Sequence, residues 1–294
     1  MQIRKPAVAG QFYGASKRDC LKEIAECIRE GRIDEKTPLP ANITAGIVPH
    51  AGWTFSGDMA AMVFSAIKRA NENVDTFVIF GAVHNYMGSL AAVYDMGYWQ
   101  TPLGDIAIDK ALAEAIIKTS SPAQSEPAAH KFEHSIEVQI PFIQHLFPEA
   151  KIVPVMVPPA QFAVQLGQDV AECIKNAPDK KIVCIASTDL THYGPRYGFC
   201  PQGTGNDAIR WAKEINDRAF IDLALDMKAQ ELLVSSIEKG NACGCGAAAA
   251  TVAAAKAQGK TKGLLLGHTH SNEVMRQKFN SGSEESVGYA AIVF

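Results

Sequence analysis

The sequence predicts an α/β protein: a single α/β/α domain, residues 1–294, with a mainly parallel central sheet. Two observations predict it. Runs rich in Val, Ile, Leu and Phe recur along the 294 residues, and amphipathic segments separate them. Near-continuous apolar runs are what strands buried on both faces require. Their alternation with helix-like segments argues for a parallel sheet covered by helix layers. No repeat, low-complexity tract or charge block marks a linker, and the length suits one large domain.

Candidate strands lie at 43–50, 74–84, 90–99, 150–158, 181–192, 262–270 and 287–294. Helix-like segments lie at 16–31, 56–71, 109–120, 135–147, 161–176, 206–225, 228–240 and 246–259. Met59, Met62, Val63 and Ile67 share one helical face, and Ser16 and Ser56 are expected to cap their helices. The Gly, Pro and aromatic residues of 85–108 predict a hairpin, antiparallel to its surroundings.

Composition excludes several classes. With 47% hydrophobic and 20% charged residues the chain is an ordinary globular one. A net charge of −3 offers no field for a polyanion, so nucleic acid is not expected as a partner. No apolar run suits a signal peptide or a bilayer span, so no membrane association and a cytoplasmic address are expected. The seven cysteines are odd in number and scattered, which reads as reduced thiols. There is no CxxC pair for a zinc ribbon, no phosphate loop, no GxGxxG and no GxSxG elbow.

The chemistry is signalled by position. Three candidate strands end in histidine: VPH at His50, GAVH at His84, and STDLTH with Asp189 and His192. A fourth, KGLLLGHTH, ends in His268 and His270. Five of the eight histidines thus fall where open parallel sheets build ligand sites, outside the carboxyl ends of strands. Imidazole is the commonest ligand of borderline metals. NACGCG adds Cys243 and Cys245 at the start of an Ala-rich helix, where the dipole favours thiolate; either could be ligand or nucleophile. In HKFEHSIEVQIPF, Ser135 is expected to cap a helix, with His134 and Glu137 as pocket groups or as capping and solvated-face residues. HAGWTFSG could hold a small anion beside His50.

Taken in order, AVAGQFY (7–13), VPHAGWTFSG (48–57), FGAVHN (80–85), TPLGD (101–105), HKFEHSIEVQIPF (130–142), STDLTHYG (187–194), ACGCG (242–246) and VGYAAIVF (287–294) resemble the Memo family, protein B of AmmeMemoRadiSam systems. The resemblance implies a fold similar to the class III extradiol dioxygenases. It implies His50, His84 and Cys243 as ligands of iron or copper, with zinc an alternative in purified protein. His192, Asp189 and His134 would be the catalytic polar groups. It departs from the pattern where Asn85 follows His84, at Cys245, and at GHTHSNE, where His268 and His270 are candidates for an extra ligand.

Two functions are expected from this. One is a metal-dependent oxidoreductase with a dioxygenase-like pocket, acting on an unidentified small-molecule substrate. The other is a non-catalytic binding or assembly protein that works with a radical S-adenosylmethionine enzyme and an AMMECR-type partner.

Overall fold

The aliphatic runs become the centre of one large sheet in the computed structural model, which describes residues 2–294. The strands are β1 Ile3–Arg4, β2 Ala45–Val48, β3 Thr76–Gly81, β4 Ala91–Val93, β5 Tyr98–Thr101, β6 Gly104–Ala107, β7 Ala123–Ser125, β8 Lys151–Met156, β9 Ile182–Ser187, β10 His192–Tyr193, β11 Leu264–His270 and β12 Ser286–Val293. The helices are α1 Lys17–Glu30, α2 Trp53–Ala70, α3 Lys110–Thr119, α4 Ile140–Leu146, α5 Phe162–Lys175, α6 Asn206–Trp211, α7 Arg218–Leu225, α8 Ala229–Lys239, α9 Cys245–Ala257 and α10 Ser271–Phe279.

The large sheet has the order β10-β12-β2-β9-β3-β8-β4-β7, with β11 also paired to β12. β2, β9, β3 and β8 are mutually parallel. β12 runs antiparallel to β2, and β4 antiparallel to β8. The sheet is therefore mixed, parallel at its centre and antiparallel towards both flanks.

Alternate residues of each central strand face opposite layers. Val78, Phe80, Cys184 and Ala186 pack with α3, α5 and α7–α9. Phe77, Ile79, Val183 and Ile185 pack with α1, α2 and α4. Both faces are thus buried, which is why these strands read as unbroken apolar sequence. Every residue from Cys245 to Ala255 in α9 is buried, and its small side chains let α5 come close. Gly167 of α5 lies directly against the Ala250 carbonyl, where a Cβ has no room.

Several elements differ from expectation. The run 90–99 divides between two sheets, turning at Gly97 with φ +78°: β4 joins the large sheet, while β5 forms an antiparallel hairpin with β6 beside β1. The hairpin expected in 85–108 is this β5–β6 pair. Ser16 caps α1 by accepting the Asp19 N–H at 3.1 Å. Ser56 caps nothing: α2 starts at Trp53, and the Ser56 hydroxyl donates to the Ala51 carbonyl. Ser135 is no cap either; its segment is a 3-10 turn, Glu137–Gln139, followed by α4. Segment 206–225 contains a π-helical turn, Ala212–Asp217, between α6 and α7.

Glu137 is neither in the pocket nor on a solvated face. It is fully buried and pairs with Arg4 at 2.5 Å. It also accepts from Ala7 N at 2.8 Å, Val8 N at 3.0 Å and the Tyr13 hydroxyl at 2.9 Å. One carboxylate thereby ties the N-terminal segment to the turn that follows His134. Removing one partner of a buried pair strands the other charge. Glu137→Ala should lower unfolding free energy in urea by about 3–5 kcal/mol, and an effect within experimental error would refute the anchor.

Candidate metal centre

Because β2, β3 and β9 are parallel, their carboxyl ends share one edge. His50 lies two residues beyond β2, His84 three beyond β3 and Asp189 two beyond β9. The segment Asn241–Gly244 brings Cys243 to the same edge just before α9. One donor atom from each of His50, His84 and Cys243 lies within 4.8 Å of the other two.

Hydrogen bonds define which ring nitrogens are free. The Ser187 hydroxyl donates its one proton to the Ser135 carbonyl at 2.6 Å. Towards His50 Nδ1, 3.2 Å away, it can therefore only accept. His50 Nδ1 carries the proton, and its Nε2 lone pair faces Cys243 Sγ at 3.2 Å. His84 Nδ1 lies 2.9 Å from Glu133 Oε1, and the His84 N–H donates to Oε2 at 3.0 Å. That leaves Nε2 of His84 free.

Glu133 has no exposed surface, and it also accepts the Ser135 N–H at 2.8 Å. Burial alone would raise its pKa, but His84 and the backbone donors hold it well below the usual carboxylate range. In return, although burial opposes charge on His84, the Glu133 carboxylate lifts that ring above its ordinary value. Glu133 was missed in the sequence; its one signal is an acid between His130 and His134.

Burial, aided by the Asp189 charge, pushes the Cys243 thiol far up. This desolvation works against the thiolate preference expected at the α9 N-terminus. Cys245 is buried in the apolar layer under α9, its thiol pushed up to about 11 by burial, and it is not part of the donor cluster. All seven cysteines are unpaired.

His134, Asp189 and His192 surround this cluster. The His134 ring stacks on His84 at 4.4 Å, and burial pushes its pKa down to about 4. Asp189 accepts the His50 N–H at 2.7 Å, and burial raises its carboxyl. His192 Nδ1 sits 3.0 Å from the Leu190 carbonyl, which can only accept, so the His192 lone pair is on Nε2. With Phe12, Phe55, Arg196 and Tyr197, these residues line a cleft of about 450 Å³. The first N–H of α2, at Trp53, is taken by the Phe12 carbonyl at 2.8 Å, so HAGWTFSG leaves fewer free donors for an anion than expected.

His268 and His270 do not join the cluster. β11 lies beyond β12, away from β2, so their rings meet other partners. His268 Nε2 pairs with Asp217 at 3.1 Å, and His270 approaches Glu273 at 3.6 Å.

The donor set suits a metal ion. A second group, His84, Glu133 and His134, also gathers donors, but the Glu133 oxygens are already committed to protons from His84 and Ser135. His50, His84 and Cys243 each place one donor atom within 4.8 Å of the other two, with both rings held from behind by Ser187 and Glu133. That backing is the usual accompaniment of metal-binding histidines.

A mixed sheet between two helix layers, with two histidines and a cysteine converging beyond its strand ends, defines an α/β protein with a candidate metal pocket. The chain belongs to the Memo family, whose description, Memo-like protein, matches residues 4–293. It is 37% identical to a MEMO1 family protein of Thermococcus onnurineus, over 99% of each chain. It is 38% identical to one from Pyrococcus abyssi, again over 99% of each. Among solved structures it is similar to an uncharacterized protein of Escherichia coli K12, at 12% identity and a TM-score of 0.46, covering 84% of this chain and 99% of that one.

Three histidines are pushed towards the neutral form by desolvation: buried His50 and His130 down to about 3, and half-buried His134 to about 4. In the unfolded chain they titrate near 6.5. The stability they contribute is present above about pH 6.5 and is lost as pH falls towards their folded values. His130 alone should cost roughly 1.4 kcal/mol per pH unit across that window. Urea unfolding of metal-free protein at successive pH values checks this, and His130→Gln should flatten the slope by that amount.

Proposed function

We infer that this Memo-family protein binds one redox-active transition ion, iron or copper, through His50 Nε2, His84 Nε2 and Cys243 Sγ, and acts on a small molecule in the adjoining cleft. The observation that carries this reading is the convergence of three donors whose two rings are already fixed in the ligating tautomer. Imidazole with thiolate selects borderline and softer ions, and zinc also accepts this set.

Such an ion, when bound, supplies Lewis acidity and one-electron chemistry with coordination positions left open beyond three protein ligands. The chain's own groups do the rest. Cys243 gives up its proton on binding, so affinity rises with pH. His192 Nε2 can take a proton from a molecule in the cleft, with its ring held through Nδ1. Asp189 fixes the His50 backbone, and the neutral His134 packs on His84. Family membership is the support for the further proposal that the protein works beside a radical S-adenosylmethionine enzyme and an AMMECR-type protein.

Protein purified without oxygen should carry near-stoichiometric metal by elemental analysis. His50→Ala and Cys243→Ala should remove it, and Glu133→Gln should weaken affinity by about 10–100-fold through loss of the His84 support. No bound metal in the parent protein would refute the proposal. A small acid bound equally well by metal-free protein would favour a non-catalytic binding role.

A further inference from the structure

The π-helical turn Ala212–Asp217 ends in two polar residues, Asn216 and Asp217, that are both buried. π-turns within α-helices are frequent at functional sites. Both side chains reach the same residue, Thr191, which precedes His192. Asp217 Oδ1 accepts the Thr191 N–H at 2.9 Å, and Asn216 Nδ2 donates to the Thr191 hydroxyl at 3.1 Å. The Asn216 carbonyl in turn accepts from Asn241 Nδ2 at 2.9 Å, two residues before Cys243.

One turn therefore holds two chain segments that are far apart in sequence, and each carries a group of the pocket. The fit is close. Gly288 of β12 packs against the Asp217 carboxylate where a Cβ has no room. Its carbonyl accepts the Leu190 N–H at 2.8 Å, and its N–H donates to the Thr191 carbonyl at 3.1 Å. Asp217 has its second oxygen opposite His268 Nε2 at 3.1 Å, so the buried carboxylate has a partner on β11. This gives His268 a place in the molecule outside the donor cluster.

We propose that Asn216 and Asp217 are positioning residues: their side chains lock the turn onto Thr191, and the turn so locked presents the Asn216 main-chain carbonyl to Asn241, which sets where His192 and Cys243 stand relative to one another. The positioning of the two segments is a property of the metal-free chain. Its effect on a bound ion rests on the metal-site reading above.

Two measurements separate these claims. Amide exchange of metal-free protein, read by mass spectrometry, tests the positioning. Asp217→Ala should speed exchange at least about tenfold in both 188–193 and 241–245, while 82–86 after β3 is unchanged. Asp217→Asn keeps an oxygen for the Thr191 N–H and should restore both segments to within about threefold of the parent. If Asp217→Ala does not fold, Asn216→Ala should speed 188–193 by the same mechanism. Acceleration confined to 188–193 in Asp217→Ala, equal acceleration everywhere, or no change in any folded variant would overturn the proposal.

The second measurement is a cobalt(II) titration. The parent should show a thiolate-to-cobalt absorption that Cys243→Ala abolishes. Asp217→Ala should shift the visible bands and weaken cobalt binding about tenfold, and Asp217→Asn should recover both. A parent protein that takes up no cobalt would count against the metal site, while the exchange result would still decide the clamp.

Discussion

Glu133 is a carboxylate with no exposure to water, and its need for proton donors organises the site. A charge so placed is tolerated only when fully hydrogen-bonded. Its donors are the backbone and ring of His84 and the backbone of Ser135. The Ser135 carbonyl then takes the Ser187 proton, and Ser187 holds His50 Nδ1. One buried charge thus fixes both imidazoles through a continuous chain of contacts. Any drift of the loop after β3 would leave that charge unpaired.

The sheet makes this network possible by bringing three strand ends to one edge. His84 is supported through Glu133, His50 through Ser187 and Asp189, and Cys243 through its backbone bond to the Asp189 carbonyl at 3.3 Å. These supports come from β9, from the segment before α4 and from the approach to α9. Packing of α9 against α5 carries Cys243 into place, because only small residues allow that approach. In the metal-free protein desolvation and the nearby Asp189 charge both push the Cys243 thiol up, so the charge of a bound ion is what would favour its thiolate.

Much of this was legible in the sequence. The central strands are buried on both faces and therefore appear as unbroken Val, Ile and Phe runs. His50, His84 and Asp189 follow them directly, so their shared edge could be read from order alone. Other features depend on contacts distant in the chain. Glu133 looks like a first-turn acid until the loop after β3 closes on it, and Glu137 looks solvated until Arg4 arrives from 133 residues away. The run 90–99 is apolar but for Asp95 and reads as one strand, yet Gly97 sends its halves to different sheets. His268 and His270 also end a strand, but β11 lies outside β12, so position at a strand end is informative only for strands at the sheet centre.

X-ray absorption at the edge of the bound metal reads the donor types at the site without requiring any activity. Ligation by Cys243, His50 and His84 should give one sulfur scatterer at about 2.3 Å and two imidazole nitrogens at about 2.0–2.1 Å, as in zinc sites, with the sulfur contribution lost in Cys243→Ala. A first shell made only of nitrogen and oxygen, or a sulfur signal that survives removal of Cys243, would contradict it.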